Sequence, residues 1–80
     1  MTKEVRVVDD YRVQVTYRVG GQDPASTVLH LGADSRDEAE ALGRRLFEEW
    51  VDYNRAHGYG DFTDLRVTRV TCRFVGSRDA

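Results

Sequence analysis

Tyr11-Arg12-Val13-Gln14-Val15-Thr16-Tyr17-Arg18-Val19 is the stretch that decides the fold. Apolar side chains take the odd positions and polar ones the even positions. Strict period two in a Val- and Tyr-rich segment is a β-strand with one buried and one wet face. The alternation reaches back through Val7 and Val5, interrupted at Asp9-Asp10. A two-residue turn there would pair Val7 with Arg12 on one face and spoil the pattern. One long, bent strand over about 5–19 is therefore expected; if residues 3–8 pair separately, the sheet gains a fourth strand.

Working outward, Gly20-Gly21-Gln22-Asp23-Pro24-Ala25 reads as a hairpin loop, and a second strand follows over about 26–31. Pairing Val19 with Thr27 sets Tyr17 opposite Leu29 and Val15 opposite Leu31. A one-residue slip would expose both leucines and bury His30. Each buried Leu contributes about 1.5–3 kcal/mol, so the first register is expected.

Ser35, followed three residues later by Glu38, is a capping box, and Asp37 adds negative charge to the first turn. The apolar stripe beyond it runs Ala39, Leu42, Leu46, Trp50 and Tyr53, widened by Phe47 and Val51. Gly43 shares that face. Glycine inside a helix costs about 1 kcal/mol relative to Ala, so it marks a close approach to the sheet. Gly58 and Gly60 end the helix, giving a span of about 36–57. Its length of about 33 Å matches a strand of about nine or ten residues. Helix and sheet are expected to be equally long.

The last element spans about 65–75. Leu65 and Val67 alternate on one phase, Val70, Cys72 and Phe74 on the other. A phase change of one residue at Thr68-Arg69 is what a β-bulge produces. Residues 76–80 read as a polar tail. A right-handed crossover from the second strand places the last strand beside the first. The fold class is α+β: a three-stranded antiparallel sheet of order 2-1-3, packed on one long amphipathic helix, β-β-α-β in sequence. Residues 1–80 make a single domain.

At this size the core supplies about 3–5 kcal/mol of net stability, and small domains in that position gain from disulfides, metals or oligomerisation. With one cysteine, Cys72, and two histidines, His30 and His57, self-association or docking on a partner is the expected route. The charged N-terminus MTKEVRVVDD has no apolar core of a secretory signal, no stretch is long enough to cross a membrane, and a lone cysteine fits a reducing compartment. A cytoplasmic protein is expected. Lys3 is the only lysine among 12 basic residues, an arginine bias that suggests a high-GC genome, such as an actinobacterium or its phage.

The net charge of −2 hides a division. On the phases above, the sheet face away from the helix carries Arg12, Gln14, Thr16 and Arg18, then Val28 and His30, then Arg66, Arg69, Thr71 and Arg73. The acids Asp34, Asp37, Glu38, Glu40, Glu48, Glu49 and Asp52 belong to the helix or its start. A positive sheet face opposite a mildly negative helix is the pattern of a docking surface for an anionic partner. Arg and Thr are also ordinary residues on a solvated sheet face. Nucleic acid has weak support, because Tyr11 and Tyr17 sit on the buried phase rather than under stacked bases.

A second candidate surface is the turn after the helix, with His57, Tyr59 and Asp61. It can be drawn as an acid–base cluster or as a helix C-cap with aromatics closing the sheet's end. Cys72 lies on the core phase of its strand. Glu48, Glu49 and Asp52 can imitate a phosphate row, although Arg44, Arg45 and Arg55 dilute that field. No metal-ligand spacing, phosphate loop or paired nucleophile and base is present. The expected function is a non-enzymatic interaction module without cofactors: a small regulator, inhibitor or complex subunit working by protein–protein contact or homodimerisation. The alternative is a nucleic-acid-binding domain using the arginine face.

Overall fold

The computed structural model describes residues 7–60 and 62–79. Its elements are β1 (Val7–Val19), β2 (Ala25–Ala33), α1 (Arg36–Ala56) and β3 (Leu65–Asp79). They form an antiparallel three-stranded sheet of order β2-β1-β3, with α1 against one face. β1 is central, and its alternation does the work expected of it: Tyr11, Val13 and Val15 are buried, with Ala33, Ala39, Phe47 and Val51 completing the core. β1 runs unbroken through Asp9-Asp10; its expected start at Val5 lies outside the described residues.

The hairpin register differs from expectation. Val15 pairs with Thr27, Val13 with Leu29 and Tyr11 with Leu31, whereas the sequence reading set Val15 opposite Leu31. The cause is the turn. Gly20 takes a φ of 55°, and the Gln22 N–H donates to the Val19 carbonyl at 3.1 Å, so the reversal is centred on Gly21 rather than on Asp23, two residues nearer β1 than expected. Glycine is the residue that allows such a left-handed turn position. The slide is an even number of residues, so every side chain keeps its face. Leu29 and Leu31 are half-buried under α1, and Val28 and His30 are exposed on the other side.

β3 carries the bulge expected near Thr68: Thr16 pairs with Arg69 and Tyr17 with Val67, leaving Thr68 extra. A second shift leaves Val75 extra between Phe74 and Gly76. Beyond it the strand continues where a tail was expected. Gly76, Ser77, Arg78 and Asp79 pair with Asp10, Asp9, Val8 and Val7. Two polar cross-strand contacts hold this end, Ser77 Oγ donating to Asp9 Oδ1 at 2.7 Å and Arg78 Nε to Asp10 Oδ1 at 2.9 Å.

The sheet is therefore longer than the helix. The 13 residues of β1 and 15 of β3 span about 43 and 50 Å, while the 21 of α1 span about 32 Å. Arg36 fixes the helix start against β3 by donating to the Cys72 carbonyl at 2.7 Å, and the strands overhang it. The molecule measures 56 × 24 × 14 Å, with a radius of gyration of 15.6 Å; a compact chain of this length has about 12 Å.

The Ser35 cap forms as expected, its side chain accepting from the Glu38 N–H at 3.2 Å. The buried helix line, however, is Ala39, Gly43, Phe47 and Val51, not the stripe centred on Leu42, Leu46, Trp50 and Tyr53. Gly43 decides this. A Cβ built there would lie 2.7 Å from Val13 Cγ1, so the helix axis rests over β1 at its glycine. Leu42 and Leu46 fall to one flank, half-buried, and Trp50 and Tyr53 remain exposed. Among the described residues no helix is long and apolar enough to cross a membrane.

Candidate functional site

The ladder registers assemble the open face row by row. His30, Arg12 and Arg73 stand side by side across β2, β1 and β3; Val28, Gln14 and Thr71 form the next row; Ser26, Thr16 and Arg69 the third. Arg18 and Arg66 face each other at the end. All five arginines and His30 are exposed. Directly opposed residues have Cβ atoms about 4.5–5.5 Å apart, so Arg12 with Arg73 and Arg18 with Arg66 are like-charge neighbours. The structure thus brings Arg12, Arg18, His30, Arg66, Arg69 and Arg73 together on one surface.

These arginines differ from those on the helix. Arg36 reaches the Cys72 carbonyl, Arg55 donates to the Phe62 carbonyl at 2.8 Å, and Arg45 pairs with Glu49 at 3.3 Å. Among the described residues, no ion pair or side-chain hydrogen bond engages Arg12, Arg18, Arg66, Arg69 or Arg73. One acid does reach this face. Asp10 lies near Val8, Gly32 and Arg78 and is held by the Arg78 guanidinium. Sequence reasoning missed Arg78 because it assigned residues 76–80 to a tail. Its signal lay in the second bulge, which returns Arg78 to the phase of Arg73.

At the other candidate surface, His57 is the C-cap of α1. Its Nδ1 donates to the Tyr53 carbonyl at 2.8 Å, and its ring stacks between Tyr53 and Tyr59, with centroids 4.1 and 5.7 Å away. Trp50 packs edge-on against Phe62 at 5.5 Å. This is the capping arrangement, with aromatics over the sheet's end; Asp61 lies outside the described residues. Cys72 is half-buried beside the Arg36 carbonyl, and burial pushes its thiol above the ordinary value. Among the described residues, no three His, Cys, Asp or Glu side chains gather as a metal site.

The exposed aromatics Trp50, Tyr53, Tyr59 and Phe74 belong to the helix, the loop after it and the helix-facing phase of β3. None lies among the arginines, so the open face offers charge and hydrogen bonds without a stacking platform. Comparison with protein-family models, curated proteins and solved structures finds no match for this chain.

Proposed function

We propose that this protein is a non-enzymatic interaction module, a small regulator or complex subunit, that docks an acidic segment of a partner protein on its arginine-lined sheet face. One observation carries the reading: five exposed arginines converge on one face with no internal partner among the described residues, two pairs of them directly opposed. Like charges set opposite each other across strands are destabilising, and a carboxylate-bearing partner removes that cost. The lone thiol and the arginine-rich composition support a cytoplasmic setting in a high-GC bacterium or its phage.

Carboxylates are favoured over nucleic acid because sheet surfaces that bind single strands stack bases on exposed aromatics, and the face lacks them. Fluorescence anisotropy tests this with a labelled poly-glutamate peptide and labelled single- and double-stranded DNA at low salt. The peptide binds, and Arg12→Gln with Arg73→Gln weakens it by about tenfold. Binding of DNA in preference to the peptide, with a steep salt dependence, replaces this reading with the nucleic-acid one. Failure of every probe at low salt overturns both.

A further inference from the structure

The two edges of the sheet are built differently. β3 is blunted in the ways natural edge strands are: two bulges interrupt it, and Arg66, Arg69, Arg73 and Arg78 charge it. β2 has neither protection. Its nine residues, Ala25-Ser-Thr-Val-Leu-His-Leu-Gly-Ala33, contain no Asp, Glu, Lys, Arg or Pro, and its ladder with β1 has no register shift. β1 occupies one side, and among the described residues no strand occupies the other. A regular, uncharged edge strand is a template for pairing.

The helix flank above this edge carries leucines, rimmed by Glu38 and by the Arg45–Glu49 ion pair. Arg44, Glu48 and Arg55 line a groove with Leu65 and Val67, so that side of α1 faces β3. At 3.6 residues per turn, Leu42, Leu46 and Tyr53 lie on the opposite side of the Gly43 line, toward β2. Leu29 and Leu31 of β2 lie beneath them, only half-buried. The uncharged edge and the leucines above it form one continuous strip.

We infer that a second copy of this chain covers that strip, the two β2 strands pairing antiparallel about a two-fold axis to make a six-stranded sheet. Such an axis keeps both helices on one face and both arginine surfaces on the other. Pairing about Leu29 sets Val28 opposite His30 of the second copy and Thr27 opposite its Leu31, with no formal like-charge pair. Pairing two β3 strands instead would juxtapose arginines. The two β1 strands would stand three strand spacings apart, about 14 Å. Helices resting on them are wider apart than the usual 8–10 Å, and Leu42, Leu46 and Tyr53 side chains from both flanks fill the gap. The elongated chain exposes 6032 Å², where a compact monomer of its mass exposes about 4,900 Å², surface enough to give up the roughly 800 Å² per partner of a standard interface.

Light scattering coupled to size-exclusion chromatography, at protein concentrations spanning the micromolar range, tests this on the whole chain. The wild type elutes at twice its 9.2 kDa. Val28→Lys alters an exposed side chain and puts two lysines on diagonal positions about 7–8 Å apart near the axis; it raises the dimer dissociation constant at least about tenfold while circular dichroism stays native. Thr71→Lys, on β3, leaves the dimer intact. A wild-type monomer at all concentrations overturns the inference, as does a dimer broken by Thr71→Lys and not by Val28→Lys. Val28→Lys adds positive charge to the open face and so retains poly-glutamate binding, which separates failure here from failure of the proposed function.

Discussion

Replacing Gly43 by alanine sets two well-measured effects against each other at a single atom. In an unconstrained helix interior the change stabilises by about 1 kcal/mol. Here the new methyl would sit 2.7, 3.1 and 3.3 Å from Cγ1, Cβ and Cγ2 of Val13, where carbon pairs prefer about 3.5–4.0 Å. Val13 is fully buried on the central strand, between Leu29 and Cys72, and its branched side chain has little rotamer freedom. The helix must lift by about 1 Å, loosening Phe47 and Val51, and overpacking of this kind costs about 1–3 kcal/mol. With the stiff side of the contact in the sheet, the upper part of that range applies, and the net loss is about 1–2 kcal/mol. In thermal unfolding followed by circular dichroism, the midpoint falls by about 4–15 °C. Val13→Ala removes the two methyl groups in the way, so the double variant is more stable than the sum of the singles by at least about 1 kcal/mol. A Gly43→Ala protein stabilised by the full propensity gain, or strict additivity in the cycle, refutes the close approach.

Three further outcomes follow from the same structure. Ser35→Ala removes the acceptor for the Glu38 N–H and lowers urea-denaturation stability by about 1 kcal/mol; no change would mean that the helix start is held by Arg36 alone. Arg12→Gln relieves its opposition to Arg73 and raises stability by up to about 0.5 kcal/mol at low salt, a gain that fades with added salt; a loss of stability would show that Arg12 is structurally engaged. Burial raises the Cys72 thiol and the Tyr11 phenol above their ordinary 9.0 and 10.0, with Asp9 adding to the effect at Tyr11. The unfolded chain then loses these protons first. The contribution is fully present below those ordinary values and is lost as pH rises through the raised ones. Thermal midpoints therefore drop on the alkaline side, less steeply in Cys72→Ala, and an identical alkaline profile in that variant would remove the thiol from the account.

Much of the fold was legible because the decisive signals are local. Period two from Tyr11 to Val19 identified the central strand, the phase change at Thr68 located a bulge, and Ser35 with Glu38 located the helix start. Faces were legible for the same reason, and with them the convergence of the six basic side chains, since a sheet face follows from parity alone. Register was not. It depends on where along Gly20–Ala25 the chain reverses, and a glycine-rich stretch leaves that open. The helix face was misjudged because Trp50 and Tyr53 are apolar and were counted as core, whereas the helix rests on the sheet at Gly43, which has no side chain to count. The β1–β3 overhang was illegible because Gly76, Ser77 and Arg78 are paired through polar contacts with Asp9 and Asp10 that carry no hydrophobic pattern. The unequal edges emerge only after the strand order is known.

The arginine face is the proposed working surface of the domain. Arginine Nε–Hε signals in nitrogen-15 spectra report on it side chain by side chain as a poly-glutamate peptide is titrated at low salt. The signals of Arg12, Arg18, Arg66, Arg69 and Arg73 are expected to move together and saturate, while those of Arg36, Arg45 and Arg55 stay in place. Shifts spread evenly over both sets, or confined to the helix arginines, would contradict that role.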